Sequence, residues 1–288
     1  MDSFSDKIAV VTGGGDGMGR ALARQLSAEG CHVALCDVFD DTAAGTRALC
    51  EADAPAGVRI TAHHCDVSDE EQVLAFRDQV ADQHQTEVVH LVFNNAGIAG
   101  SGSMIADDRD AWERTFNVCW GGVYYGTRAF LPMLVAADEG HLINTSSVNG
   151  FWASLGPEIA HTAYSAAKFA VKGFSEALVT DLALNAPHVG VSVVMPGHIG
   201  TGIAANSGLV HGAKADPQIM EMASRFRNMA PTSADEAATV ILDGVRANRW
   251  RILVGDDAHI LDQAVRDAPE EAYLPDFRDR LAPRSAND

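Results

Sequence analysis

The chain has 288 residues, 47% of them hydrophobic, enough to bury a sizeable core, and its length permits one or two domains. Its 21 Lys and Arg against 39 Asp and Glu give a formal charge of −18, which argues against nucleic acid and anionic membrane surfaces as partners. No apolar run reaches the roughly 18 residues of a membrane span. Asp2 and Asp6 make the N-terminus unlike a signal peptide, and Cys31, Cys36, Cys50, Cys65 and Cys119 form an odd set without a C-x-x-C pair, so reduced thiols in a cytoplasmic protein are expected.

The first predicted strand, residues 8–12, runs into Thr12-Gly13-Gly14-Gly15-Asp16-Gly17-Met18-Gly19, with a helix predicted over 18–29. Five glycines in seven positions between a strand and a helix let backbone approach a pyrophosphate, and the helix N-terminus offers it unpaired N–H groups. Gly13, Asp16, Gly17, Met18 and Gly19 are therefore candidate cofactor residues. The spacing is neither G-x-G-x-x-G nor a P-loop, because no Gly-Lys-Ser/Thr follows.

The second strand, 32–37, ends on Asp37, 24 residues beyond Gly13. A carboxylate there accepts hydrogen bonds from both adenosine ribose hydroxyls and repels a 2′-phosphate. No Lys or Arg follows in Val38-Phe39-Asp40-Asp41, and none stands in the turn before Arg20, so Asp37 and Val38 predict NAD(H) rather than NADP(H).

Helices are then predicted over 42–52, 69–84, 109–136, 163–184 and 234–247, alternating with strands over 59–66, 88–94, 141–146, 190–195 and 251–254. This alternation implies right-handed crossovers and an α/β fold, a Rossmann-type doubly wound parallel sheet of about seven strands with helices on both faces. His63, His64 and Cys65 fall on a strand whose successive side chains face opposite ways, so no metal site is expected. Residues 1–255 read as one dinucleotide-binding catalytic domain. Two segments break the alternation. An insert over 200–228, with Ile203, Leu209, Met220, Met222 and Met229 and few cations (Lys214, Arg225, Arg227), reads as a substrate lid. A polar tail over 256–288 contains Pro269, Pro275 and Pro283 and is expected against the pocket or a second subunit.

Tyr164 and Lys168, four residues apart on a predicted helix, share one face. A free phenol has a pKa of about 10, and lowering it by ~3 units takes about 4 kcal/mol. The lysine and a cationic nicotinamide are expected to supply this in a partly dry pocket. His161, three residues earlier, reads as an ordinary loop histidine.

In this order the motifs resemble the short-chain dehydrogenase/reductase family, from Lys7 to about Gly255. The resemblance implies that Asp66 and Val67 contact the adenine, and that Asn94, Ala96 and Gly97 brace the sheet and line the adenosine pocket. Pro196, Gly197, Ile199 and Thr201 would hold the nicotinamide carboxamide, and Tyr164 and Lys168 would also touch the cofactor. It further implies hydride exchange with a secondary alcohol or ketone. Tyr164 would be general acid or base, Ser147 a hydrogen-bond partner of the same oxygen, and Asn117 the link from Lys168 to water. Ser147 stands 17 residues before Tyr164, longer than the family's usual spacing, so 153–161 is expected to loop outward. Ser146 is expected to be structural. Asn149, Phe151, Trp152 and His198 are expected at a hydrophobic substrate, cyclic or aromatic. The implied assembly is a homotetramer or homodimer through the long fourth and fifth helices. The rival readings are an NADPH-dependent carbonyl or 3-oxoacyl thioester reductase, and a non-catalytic dinucleotide-binding regulator.

Overall fold

Seven parallel strands form one sheet in the order β3-β2-β1-β4-β5-β6-β9. They are β1 (Ile8–Thr12), β2 (His32–Asp37), β3 (Ile60–His64), β4 (Leu91–Asn94), β5 (Gly140–Thr145), β6 (Val189–Pro196) and β9 (Arg251–Val254). This computed structural model describes residues 1–100, 102–154, 159–210, 217–277 and 281, without the side chains of 217–220 and 222. Lys214 and the side chains of Met220 and Met222 therefore lie outside the described residues.

The strands are covered on both faces, which is why they read as continuous apolar runs rather than alternating ones. Ala9, Val11 and Leu35 point to one face, where they pack on Leu22 and Leu26 of α1 (Gly17–Ala28) and Ile241 and Leu242 of α9 (Ala234–Arg246). Val10, Ala34 and Val92 point to the other, against Phe76 of α3 (Glu70–His84), Phe130 of α5 (Gly122–Ala136) and Leu178 of α6 (Thr162–Asn185). Adjacent residues of one strand thus feed separate cores, as a period of two requires. All five cysteines are buried and free. No helix among the described residues is long and apolar enough to cross a membrane.

The predicted α/β fold is the observed one, and β1, β2 and β9 keep their expected bounds. The long helix expected over 109–136 is divided: α4 (Arg109–Phe116) and α5 are joined by a π-helical turn, Asn117–Gly121. Here packing overrides propensity. A Cβ on Gly122 would stand 2.7 Å from Val67 Cγ2 and one on Gly126 2.2 Å from Asn94 Oδ1, so the helix lies directly on the strand ends. The insert forms α7 (Ile203–Val210) and α8 (Pro217–Asn228). A small ladder of β7 (Ile199–Gly200) with β8 (Thr232–Ser233) joins its two ends. The polar tail begins as a helix, α10 (Asp256–Asp267), because Ala258 and Leu261 supply a buried stripe.

Candidate active site

The strand order reverses between β1 and β4, and a cleft opens there at the carboxyl ends of the strands, where ligands of open α/β sheets bind. Gly13 (φ 64°) and Gly17 (φ 54°) adopt the left-handed backbone that makes the turn. A Cβ on Gly13 would lie 2.8 Å from Ala96 Cα, and one on Gly19 only 2.0 Å from the Gly13 carbonyl oxygen. Asp16 precedes α1 without capping it through its side chain, so the first N–H groups of the helix are left for a ligand.

The cleft encloses about 810 Å³, solvent-facing space included, and is lined chiefly by residues 16–18, 37–39, 65–67, 95–98 and 201–203. Of the expected cofactor residues, Gly13, Asp16, Gly17, Met18, Asp37, Val38, Asp66, Val67, Ala96, Gly97 and Thr201 all line it. Gly19 acts by close packing instead. Asn94 does not line the cleft. It is 1% exposed and donates from Nδ2 to Asn144 Oδ1 (2.9 Å) and Thr127 Oγ1 (3.1 Å), bracing β4 on β5 and α5. Pro196, Gly197 and Ile199 also stand outside the lining, which on that loop begins at Thr201. The motifs did not reveal Arg114, or Asn206 and Val210 of α7. The apolar insert was the available signal for the last group.

Among the described lining residues, three carboxylates (Asp16, Asp37, Asp66) face one cation, Arg114. Asp37 accepts from Gly15 N (2.9 Å) and Phe39 N (3.1 Å), while burial pushes its pKa above the usual carboxylate value. Burial works against the Asp66 carboxylate too, but Arg114, at 2.7 Å, and Ser68 outweigh it and hold the pKa below the usual value. Arg114 is thereby neutralised. Arg20, the nearest cation to the turn, is committed to the Gly15 carbonyl and to Thr46 Oγ1 (3.0 Å).

Tyr164 and Lys168 lie on the first turns of α6, with the ammonium 5.3 Å from the phenol ring centroid. Lys168 is 2% exposed, donates to the Thr145 carbonyl at 2.8 Å, and has its pKa lowered by burial. The Tyr164 ring keeps some surface, but its hydroxyl end is enclosed. Burial raises the phenol pKa, and the Ser147 hydroxyl opposes the rise. Lys168 does not by itself lower that pKa: its ammonium is engaged by the Thr145 carbonyl and desolvation dominates. Ser147 is 7% exposed and accepts from Asn149 N at 3.1 Å, while Ser146 donates to the Lys168 carbonyl at 2.7 Å and is structural. The His161 ring lies 4.7 Å from that of Tyr164, and burial lowers its pKa to about 4.

The Asn117 side chain is exposed and makes no hydrogen bond to Lys168 among the described residues. The π-turn instead turns Cys119 inward. It is 0% exposed and its Sγ donates to the Ile98 carbonyl at 3.3 Å. A Cβ on Gly97 would stand 3.5 Å from Lys168 Nζ and 3.8 Å from Cys119 Sγ, so the thiol and ammonium border the same glycine.

The four expected substrate residues are all committed elsewhere. Asn149 Nδ2 donates to the Trp152 (3.0 Å) and Ser154 (3.2 Å) carbonyls. Trp152 is 5% exposed, buried with Phe277, and donates to the Ala272 carbonyl at 2.7 Å, so it forms no aromatic wall at the cleft. The Phe151 ring lies under the Arg251 guanidinium at 5.8 Å. His198 donates from Nε2 to the Phe226 carbonyl at 2.8 Å.

The short chain dehydrogenase family model matches residues 7–209. A Mycobacterium tuberculosis protein named as oxidoreductase SadH is 39% identical over 268 residues, 92% of each chain. A short chain dehydrogenase/reductase of Burkholderia phymatum, solved in complex with NAD, superposes with a TM-score of 0.83 at 28% identity, covering 96% of this chain and 98% of that one. A metagenomic short-chain oxidoreductase in complex with NADP gives a TM-score of 0.65 at 25% identity, over 87% and 97% of the two chains.

Proposed function

The chain belongs to the short-chain dehydrogenase family, and from that premise we propose that it is an NAD(H)-dependent oxidoreductase interconverting a hydrophobic secondary alcohol and its ketone. The observation that carries this reading is half-buried Tyr164 between buried Ser147 and Lys168, beside a cleft whose glycine turn presents bare backbone to a phosphate. A nicotinamide dinucleotide bound in that cleft supplies the hydride acceptor or donor.

The protein's share is the proton. Ser147 donates a hydrogen bond to the substrate oxygen. Tyr164, kept neutral by burial, gives its proton to a ketone oxygen during reduction, and the Ser147 hydroxyl then turns to the phenolate left behind. In oxidation the same phenol must first lose its proton, so alkaline pH favours that direction. The Thr145 carbonyl fixes the Lys168 ammonium beside the ring, and enclosure excludes water from the exchange.

The choice of NAD(H) rests on Asp37 and on the neutralised Arg114, since an adenosine 2′-phosphate would meet carboxylates without a free cation. Preference for a hydrophobic substrate, cyclic or aromatic, rests on the apolar Ile203 and Val210 of the insert, which line the cleft. The test is a panel of secondary alcohols and ketones assayed with each dinucleotide at equal concentration. Faster turnover with NADH than with NADPH is expected. Faster turnover with NADPH, or reaction of acidic phosphorylated compounds alone, refutes the assignment.

A further inference from the structure

The two loops that flank the reaction centre are both tied to the segment beyond the last strand. That segment lies outside the stretch that the family model matches, which stops at residue 209. On one side, the Asp257 carboxylate in the first turn of α10 accepts from His198 N at 2.7 Å. A Cβ on Gly197 would lie 2.3 Å from either oxygen of that carboxylate, and one on Gly255 2.5 Å from Oδ1, so the group is seated against both glycines. Gly197 N also donates to the Val254 carbonyl at 2.9 Å, which fixes the loop leading to Thr201.

On the other side, the loop that starts at Ser147 is held by the chain after α10. Ala153 N donates to the Tyr273 hydroxyl at 3.1 Å, Trp152 Nε1 to the Ala272 carbonyl at 2.7 Å, and the Trp152 and Phe277 rings lie 5.8 Å apart. Arg251, over Phe151, is itself ion-paired with Asp262 of α10. From Trp152 the chain of contacts continues inward: its carbonyl accepts from Asn149 Nδ2, and Asn149 N donates to Ser147 Oγ. One helix and the turn after it therefore reach both the proton-handling serine and the loop expected at the nicotinamide.

We propose that residues 255–277 form a clamp in which Asp257 and Tyr273 are positioning residues, holding the loops of Thr201 and Ser147 in register across the reaction centre. The structural part stands on contacts alone; its catalytic consequence rests on the dehydrogenase reading above.

Full-length Asp257→Ala, Asp257→Asn and Tyr273→Phe variants test it, first by hydrogen exchange of the peptides covering 147–154 and 196–201. Tyr273→Phe should speed exchange in 147–154, and Asp257→Ala in 196–201. Asp257→Asn keeps an acceptor oxygen for His198 N–H and should stay near wild type. Single-turnover hydride transfer should then slow roughly fivefold or more in Tyr273→Phe and Asp257→Ala, the scale of one lost hydrogen bond, with dinucleotide affinity within about twofold. Asp257→Asn should restore the rate. Unchanged exchange in both loops overturns the clamp. So does looser exchange with an unaltered hydride-transfer rate, or a loss confined to dinucleotide affinity. Should Asp257→Ala fail to fold, Tyr273→Phe, which removes a single hydroxyl, decides alone. A wild-type protein that oxidises or reduces no substrate sinks the dehydrogenase reading, while the exchange experiment still decides the clamp.

Discussion

Tyr164 and Lys168 share one face of α6, as their four-residue spacing predicted, but that spacing pointed to a reaction centre only together with the glycine turn and the motifs around it. Their electrostatics were not legible, because spacing carries no information about burial. The phenol is pushed up by desolvation, and the lysine is held by the Thr145 carbonyl. Tyr164→Phe should reduce turnover by roughly 10²-fold or more, the range of a lost general acid–base group, with dinucleotide binding retained. Since burial raises the phenol pKa, alcohol oxidation should climb with pH through the alkaline range, while ketone reduction is already strong near neutrality. A pH–rate series in both directions checks this, and an oxidation rate that is flat above neutrality contradicts it. Asn117 lies exposed on the π-turn, while Cys119 is buried beside Lys168. Asn117→Ala should leave stability within about 0.5 kcal/mol, as exposed substitutions usually do, which thermal unfolding checks. Cys119→Leu enlarges a fully buried side chain beside Lys168 and should cost about 1–3 kcal/mol of stability as well as activity.

Elements with strong local signals were readable. The run of glycines between β1 and α1, and the carboxylate closing β2, each follow from turn sterics and phosphate chemistry. The π-turn was not readable, because it lies where Gly122 and Gly126 approach Val67 and Asn94, residues far away in sequence. For the same reason Asn94 looked like a ligand group, whereas its amide spans β4, β5 and α5. Asn94→Ala removes those bonds from a fully buried site and should cost about 2–3 kcal/mol of stability while changing dinucleotide affinity little. Thermal unfolding and a binding titration on the same variant separate the two roles. The α10 helix was hidden by the prolines that follow it and by its polar outer face, its buried stripe being only Ala258 and Leu261.

At the scale of the whole molecule, burial holds His84, His141 and His161 at pKa values of about 4. Unfolded histidines titrate near 6.5, so the neutral forms stabilise the fold above about pH 6.5. That stability is lost as pH falls toward 4, at up to about 1.4 kcal/mol per pH unit for each group. Asp37, raised by burial, works the other way, but it is one group against five, since burial lowers His63 and His90 as well. The thermal midpoint should therefore be flat between about pH 7 and 8 and fall steadily below 6.5, and a midpoint unchanged down to pH 5 would contradict this. Tyr124, Val135, Phe169, Val179 and Leu184 on α5 and α6 leave apolar surface exposed, in keeping with the proposed homotetramer or homodimer, which light scattering would test. The alternation of strands and helices announced this architecture, whereas the clamp after β9 depends on tertiary contacts that no motif encodes. The most direct trial of the account is reduction of hydrophobic cyclic ketones, followed by loss of NADH absorbance, in wild-type and Tyr164→Phe protein side by side. Consumption by the wild type and near silence in the variant are predicted; equal rates in the two would contradict the assignment of the proton donor.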